Sequence, residues 1–484
     1  MTAQPHRDLR RRVVAGARSQ VLVTIALLVA SFASQVGMAR HFSFVGLGEY
    51  VGTVLVIFLV SVVAISGLPL AAAERVGRAL ENGDPEAARR AASTGFVLAM
   101  LASAAAALVL RWIWEPVMGA MRVPRPVDSS LAALGLLGAS AVGYVPLVFQ
   151  ARLQMAAVGL LAICQPFTVL LLTVWDVIHG GVAPVFMAVI GYVVAGIVSS
   201  AALLLVTRAT PPARSEVRPL LRQALLSLPL LWANVFSSWI DRLLTSLLLG
   251  PAALGIYQAD IALIDGALRI PRASTTYLVS AYARVSVATD GSIGRALAVH
   301  VRLWTAYAAG IGALLIAGSD GIATTVFGGG SIAAALPLRV LALGLVPGVV
   351  VLSYATATAG SGFANVGVVV GRATIPIAIL LLVVLAPTFG VVGAAVAQVA
   401  GITAMAIGYS WWSARHHFAF APARLVRPLS IAAGVLVLGI GVSAVPAAWY
   451  ARCGAAAVLT AALVVPSLIH RDERLVIRTL LLGQ

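Results

Sequence analysis

Lysine is absent from this sequence: all 33 basic side chains are arginine. Charge of either sign is scarce, at 10% of residues, where an average soluble domain carries about 25%. That scarcity excludes a string of soluble domains. Only two cysteines occur, Cys164 and Cys453, both inside apolar runs. They read as small buried apolar side chains, and neither a disulfide framework nor a cysteine metal site is expected. No Gly-x-x-x-x-Gly-Lys loop, His-Glu-x-x-His helix or nucleophile elbow is present. The usual signatures of nucleotide-driven pumping, zinc hydrolysis and serine hydrolysis are therefore missing, and the chain does not read as an enzyme. The net charge of +16 is not gathered in a soluble segment with interleaved aromatics, so nucleic acid is not an expected partner.

What fills the chain instead is apolar, 61% of the 484 residues. A membrane-crossing helix needs about 20 consecutive apolar residues, and fourteen such spans can be drawn. They run over 19–39, 50–73, 92–110, 130–149, 157–175, 184–206, 224–249, 254–282, 297–317, 334–356, 369–386, 391–412, 428–446 and 453–469. The arginines crowd into alternate loops. One set holds Arg10, Arg11, Arg12, Arg75, Arg78, Arg89, Arg90, Arg214, Arg218, Arg222, Arg424 and Arg427, while Arg40, Arg111, Arg122, Arg125 and Arg452 make up the opposite set. Positive residues mark the cytoplasmic side, which places both termini there. The expected class is an all-α polytopic membrane protein whose first span is retained rather than cleaved.

An internal repeat organises the spans. Leu47-Gly48-Glu49-Tyr50 opens the second span and Leu254-Gly255-Ile256-Tyr257 opens the eighth. Glu74-Arg75-Val76 and Ala283-Arg284-Val285 close the same two spans. The expectation is two six-helix lobes in parallel pseudo-repeat, a layout common among transporters, with the substrate at their interface. The expected parts are a basic cytoplasmic segment 1–18, an N-lobe 19–207 (helices 1–6) and a Pro- and Arg-rich cytoplasmic linker 208–223. A C-lobe 224–412 (helices 7–12), two extra transmembrane helices in 413–470 and a cytoplasmic tail 471–484 follow.

The sharpest signal is charge where charge is costly. Asp241 and Arg242 sit mid-way along the seventh span, and Asp260, Asp265, Arg269 and Arg272 lie in the eighth. A charge at the bilayer centre costs at least roughly 2.5–3.5 kcal/mol on insertion scales. These six side chains must therefore face one another or a watered cavity. Asn234, Ser238, Asp241 and Thr245 fall on one helical face, as do Asp265, Arg269 and Arg272. The spacing favours an Asp265–Arg269 pair, four residues apart. Arg40 and Arg339, at outer span ends, are further candidates for a cationic path. Two readings stay open: salt bridges that fasten helices, or a cavity lining for a charged substrate and a coupling ion.

Two segments carry a family likeness. Gly46-Leu47-Gly48-Glu49-Tyr50 resembles the Leu-Gly-x-x-Tyr signature of polysaccharide-export flippases, one spacer residue shorter. Ile240-Asp241-Arg242-Leu243-Leu244 followed by Ala253-Leu254-Gly255-Ile256-Tyr257-Gln258-Ala259 resembles the same family's second-lobe pattern. The likeness spans roughly 13–412. It implies the fold of the multidrug/oligosaccharidyl-lipid/polysaccharide (MOP) superfamily, with Wzx-type O-antigen flippases as the branch and lipid II flippases and MATE antiporters as relatives. The implied substrate is an undecaprenyl-pyrophosphate-linked oligosaccharide, moved from the cytoplasmic to the outer leaflet of a bacterial inner membrane. A polysaccharide polymerase complex is the implied protein partner. On this reading Arg242, Arg269, Arg272, Asn234, Arg40 and Arg339 bind substrate. Asp241, Asp260 and Asp265 orient those arginines or couple Na+ or H+, and no other cofactor is expected. A cation-coupled multidrug or metabolite antiporter of the same fold is the alternative, and a non-transporting scaffold of envelope assembly is the third reading.

Overall fold

The computed structural model describes residues 4–124, 126–285, 292–328, 331–363, 365–416 and 423–468. Among them every regular element is helical: fifteen α-helices and one short 3₁₀ turn. They are α1 (Gln4–Ile65), α2 (Leu68–Glu81), α3 (Pro85–Ala120), α4 (Ser129–Ala151), α5 (Met155–His179), α6 (Pro184–Thr207), α7 (Arg214–Leu249) and α8 (Pro251–Val285). Then come α9 (Ser292–Ala317), α10 (Ser319–Phe327), α11 (Ala335–Leu343), α12 (Leu345–Gly360), α13 (Val366–Arg415), α14 (Ala423–Ser443) and α15 (Trp449–Leu468). Eight of the described helices are long and apolar enough to cross a membrane, or nine if α11 and α12, bent by 41° at their junction, count as one span. The expected class is thus met, as an all-helical membrane-type bundle.

Two of the long helices each contain a sharp break. α1 bends at Ser43 (φ 64°), where the Ser43 hydroxyl accepts the Val45 N–H at 3.3 Å. That local bond replaces the helical one lost at the bend. α13 bends at Gly390 (φ 60°), a conformation that costs glycine little. The first two expected spans are accordingly the arms of α1, and the eleventh and twelfth are the arms of α13. The second arm of α1 stops at Ile65. Gly67 turns the chain with φ 73°, and Pro69 sits in the first turn of α2. α7 already begins at Arg214, inside the segment read as a linker.

Packing divides the chain into two units, Met1–Gly255 and Ile256–Gln484. In the first unit, one core cluster joins α2, α3 and α4 around Tyr144, whose hydroxyl donates to the Ala92 carbonyl at 2.8 Å. A second cluster gathers on Trp114, Met118 and Leu136, and the Trp114 indole N–H donates to the Val127 carbonyl at 2.8 Å. In lipid there is no hydrophobic drive between helices, so small residues that let backbones approach become the glue. α4 and α6 meet this way: a Cβ on Gly138 would strike the Tyr192 carbonyl, and one on Gly196 would strike Gly138 itself.

In the second unit, α9 is the hub. One cluster sets Ala308, Ala309 and Ala313 of α9 against Leu345 of α12 and Val435 of α14. Another joins Val301 of α9 to Tyr354 of α12 and Tyr409 of α13. α15 is fastened at its start. Arg452, only 8% exposed, donates to both Asp320 carboxylate oxygens at 2.6 and 2.5 Å and to the Ser443 carbonyl at 2.8 Å. Trp449 lies where a side chain on Gly321 would be. Burial raises the Asp320 carboxyl, but its bonds from Arg452 and from the Gly321 N–H outweigh that and hold it below its ordinary value. A carboxyl held low stabilises fully above the ordinary value, about 3.9, and loses that contribution as pH falls through the lowered one. The docking of α15 should therefore weaken in acid below about pH 4. Asp320→Asn should lower the melting temperature of the full chain near neutrality and flatten its acid limb. An unchanged acid limb would remove Asp320 from this role.

Candidate functional site

The charges of α7 belong to the first unit. Asp241 is 6% exposed and Arg242 7%. The Arg242 guanidinium lies over the Trp239 ring at 4.5 Å, and Trp239 rests against Phe58 of α1 at 4.9 Å. A cation over an indole face keeps part of the attraction it loses by leaving water, which helps to make burial tolerable for Arg242. Thr245 and Ser246, a turn further on, are also buried. The polar stripe thus runs into the packed interior from Asp241 onward. The side chains of Asn234 and Ser238 lie outside the described residues.

The charges of α8 belong to the second unit. The Asp265 carboxylate accepts from Arg272, seven residues on, at 3.2 Å, whereas the spacing favours Arg269. Both members of the pair are partly exposed. Arg269 lies between them on the same face, half-buried, and its Nη1 is buried without a hydrogen-bond partner among the described residues. Asp260 is fully buried, and neither carboxylate oxygen has a hydrogen-bond partner among the described residues. One pair is internally satisfied, and one cation and one acid are left with unfilled bonding capacity.

Pro271 shapes this stretch. Proline has no N–H to give to the carbonyl four residues earlier, which is that of Ala267. Tyr307 of α9 supplies the missing donor, its hydroxyl reaching the Ala267 carbonyl at 3.0 Å. The bond holds the part of α8 that carries Asp265 and Arg269 against α9. Tyr307→Phe leaves the carbonyl unpaired and is expected to cost about 1–3 kcal/mol, read as a lower melting temperature of the purified chain. No change would show that the carbonyl finds another donor.

The other candidates are more scattered. Arg40, at the outer end of the first span, is exposed. Arg339 of α11 is half-buried and donates through Nε to Ser319 Oγ at 2.6 Å. Sequence reading missed two polar features. His41 Nε2 lies 2.7 Å from Asp176 Oδ2, and the other Asp176 oxygen accepts the Val182 N–H at 2.6 Å. The second is the Asp320–Arg452 clasp. In both, the partners are far apart in sequence, and neither periodicity nor loop charge links them. The one available signal was a lone acid at the end of an apolar span, Asp176.

The repeated motifs meet directly. A Cβ on Gly48 would collide with the Pro251 carbonyl, and one on Gly255 would collide with the Phe44 carbonyl. Leu47 and Leu254, the residues before the two glycines, are wholly buried. The Tyr50 hydroxyl takes a hydrogen bond from Gln165 of α5 at 3.1 Å. The glycines of the two motifs, Gly48 and Gly255, therefore sit in one tight helix crossing within the first unit.

Neither a protein-family profile nor a curated protein matches the chain. Solved structures do. The lipid II flippase MurJ, in an inward closed conformation, aligns with a TM-score of 0.69 at 12% identity, over 92% of this chain and 98% of its own. A multidrug resistance MATE family transporter of the MOP superfamily, inward-facing, aligns with 0.64 at 13% identity, over 82% of this chain and 98% of its own. A mutant of the Vibrio cholerae MATE transporter VcmN gives 0.59 at 16% identity, over 84% and 98%. The fold of this chain is thus the one that these MATE transporters and the lipid II flippase share.

Proposed function

We propose that this protein is a membrane transporter that flips an undecaprenyl-pyrophosphate-linked oligosaccharide from the cytoplasmic to the outer leaflet by alternating access. The observation that carries the reading is Arg269. It is a half-buried guanidinium whose Nη1 has no hydrogen-bond partner among the described residues, on α8 beside the Asp265–Arg272 pair. Arginine grips phosphate oxygens through two parallel N–H bonds, and a pyrophosphate headgroup cannot cross hydrocarbon without such a partner. The likeness of fold to a lipid II flippase supports the same substrate class. Arg242, Arg272, Arg40, Arg339 and Asn234 complete the proposed binding set, with Asp241 and Asp265 orienting arginines. The inner membrane, cytoplasmic termini and a polymerase partner belong to the same proposal.

Lipid analysis of a strain lacking the gene tests it. Undecaprenyl-linked oligosaccharide should accumulate on the cytoplasmic face and clear when the wild-type copy returns. Absence of accumulation with surface polymer intact would defeat the flippase reading.

One observation favours a second reading. Asp260 is a buried acid without a hydrogen bond among the described residues, and a carboxylate in that position needs a cation or a proton to offset the loss of water. A Na+- or H+-coupled antiporter would use such a group, and MATE transporters share the fold. Drug efflux that depends on an imposed ion gradient and on Asp260 would favour this alternative.

A further inference from the structure

α2 and the early turns of α7, both in the first unit, line an open cleft of about 690 Å³. That is the size of a small-molecule site, for which roughly 300–1,000 Å³ is usual. Glu74 and Arg78 of α2 line it with Arg218 and Arg222 of α7, and Leu226 and Ser227 line it too. Three arginines against one glutamate leave the lining two charges positive.

The nearby acids are already engaged. One Glu74 oxygen takes Arg78 and the other takes the Gln223 amide N–H. Glu216 holds Arg75 of α2 at 2.6 and 2.7 Å, which pins the start of α7 in place. Arg218 and Arg222 enter no ion pair among the described residues. They stand four residues apart on one face of α7, where like charges repel. Helix stability therefore does not explain their placement, whereas an anion between them would.

The surroundings say what kind of anion. Just beyond the arginines α7 exposes Leu225 at 65% and Leu226 at 76%. Exposed leucine directly beside exposed arginine marks the depth at which headgroups give way to hydrocarbon. The arginine bias of the loops puts this end of the helices on the cytoplasmic side.

We propose that this cleft binds the phosphate of a lipid in the cytoplasmic leaflet, gripped by Arg218 and Arg222, with the lipid's chains lying along Leu225 and Leu226. The site rests on the membrane reading and the arginine bias alone, and a failed flipping assay would leave it intact. The phosphate has two sources, a bulk anionic phospholipid or the pyrophosphate end of a polyprenyl-linked substrate awaiting transport.

The test uses the full chain in nanodiscs of phosphatidylcholine containing phosphatidylglycerol, with retained lipid counted by native mass spectrometry after extraction. Arg218→Gln/Arg222→Gln should reduce retained phosphatidylglycerol at least about tenfold relative to wild type, the loss expected for two charge-assisted contacts. Arg208→Gln, an exposed arginine at the end of α6 outside the cleft, should leave retention unchanged. Sugar-free undecaprenyl pyrophosphate, added in equal amount, then separates the sources. Displacement of phosphatidylglycerol at this site identifies the polyprenyl pyrophosphate as occupant, and resistance to displacement identifies the bulk lipid. Equal retention in wild type and the double variant, or equal loss in Arg208→Gln, overturns the proposal. If the double variant does not fold, salt titration of the wild type decides. Phosphatidylglycerol should leave as ionic strength rises while phosphatidylcholine stays, and salt-insensitive retention overturns the site.

Discussion

Gly48→Val and Gly255→Val are each expected to prevent assembly of the first unit, seen as loss of the monodisperse, cooperatively melting full chain. A side chain at either position meets a backbone carbonyl, that of Pro251 or of Phe44. A flexible side-chain tip could swing aside, but a carbonyl inside a helix cannot move without shifting the helix. Overpacking of well-packed cores costs typically 1–3 kcal/mol and sometimes more. With backbone as the obstacle on both sides, about 3 kcal/mol or more is expected for each valine. That is a large part of a folding stability that is commonly about 5–15 kcal/mol. Gly77→Ala is the matched control. Gly77 lies inside α2 with nothing within 4 Å of its would-be Cβ. Alanine there should raise stability by up to about 1 kcal/mol through helix propensity. If the Gly48 and Gly77 variants melt alike, the tight crossing is not what holds these motifs together.

Arg269→Gln is the substitution with the largest expected effect on transport. It keeps a similar length and removes a buried guanidinium nitrogen, Nη1, that lacks a hydrogen-bond partner among the described residues. Charge-assisted hydrogen bonds contribute about 1.5–3 kcal/mol each. A bidentate grip lost in full would slow flipping on the order of a hundredfold or more. Arg272→Gln should cost less, because Arg272 is 51% exposed and already bonded to Asp265. The order matters more than either magnitude. Measured as cytoplasmic-face lipid-linked oligosaccharide in complemented cells, accumulation should follow Arg269→Gln, then Arg272→Gln, then wild type. Equal transport by all three would remove α8 from substrate binding and leave its charges as helix fasteners.

How much of this was legible beforehand differs from residue to residue. The helical class and the motif glycines were visible because apolar runs and repeats are local properties of the chain. The cost of charge in hydrocarbon likewise singled out Asp241, Arg242, Asp260, Asp265, Arg269 and Arg272 without any coordinates. Helical spacing alone favoured Arg269 as partner of Asp265, and the structure gives that hydrogen bond to Arg272. The reason lies in the surroundings. Arg272 stands two turns on along the same face, within reach of Asp265 as well, and Tyr307 of α9 bonds into the stretch between them.

By itself, then, the sequence determined that the chain is helical, that it carries spans fit for a bilayer, and which few polar side chains had to be accounted for. Each follows from short-range chemistry: apolar run length, arginine bias and the penalty on buried charge. Tertiary structure decided the rest. It set His41 against Asp176 and Arg452 against Asp320, across more than a hundred residues of chain in each case. It locked Gly48 onto the start of α8, and it set Arg218 and Arg222 beside Glu74 and Arg78 of α2 along one cleft. Such pairings depend on which helix faces come together in space, and the periodicity of a single helix carries no record of its neighbours.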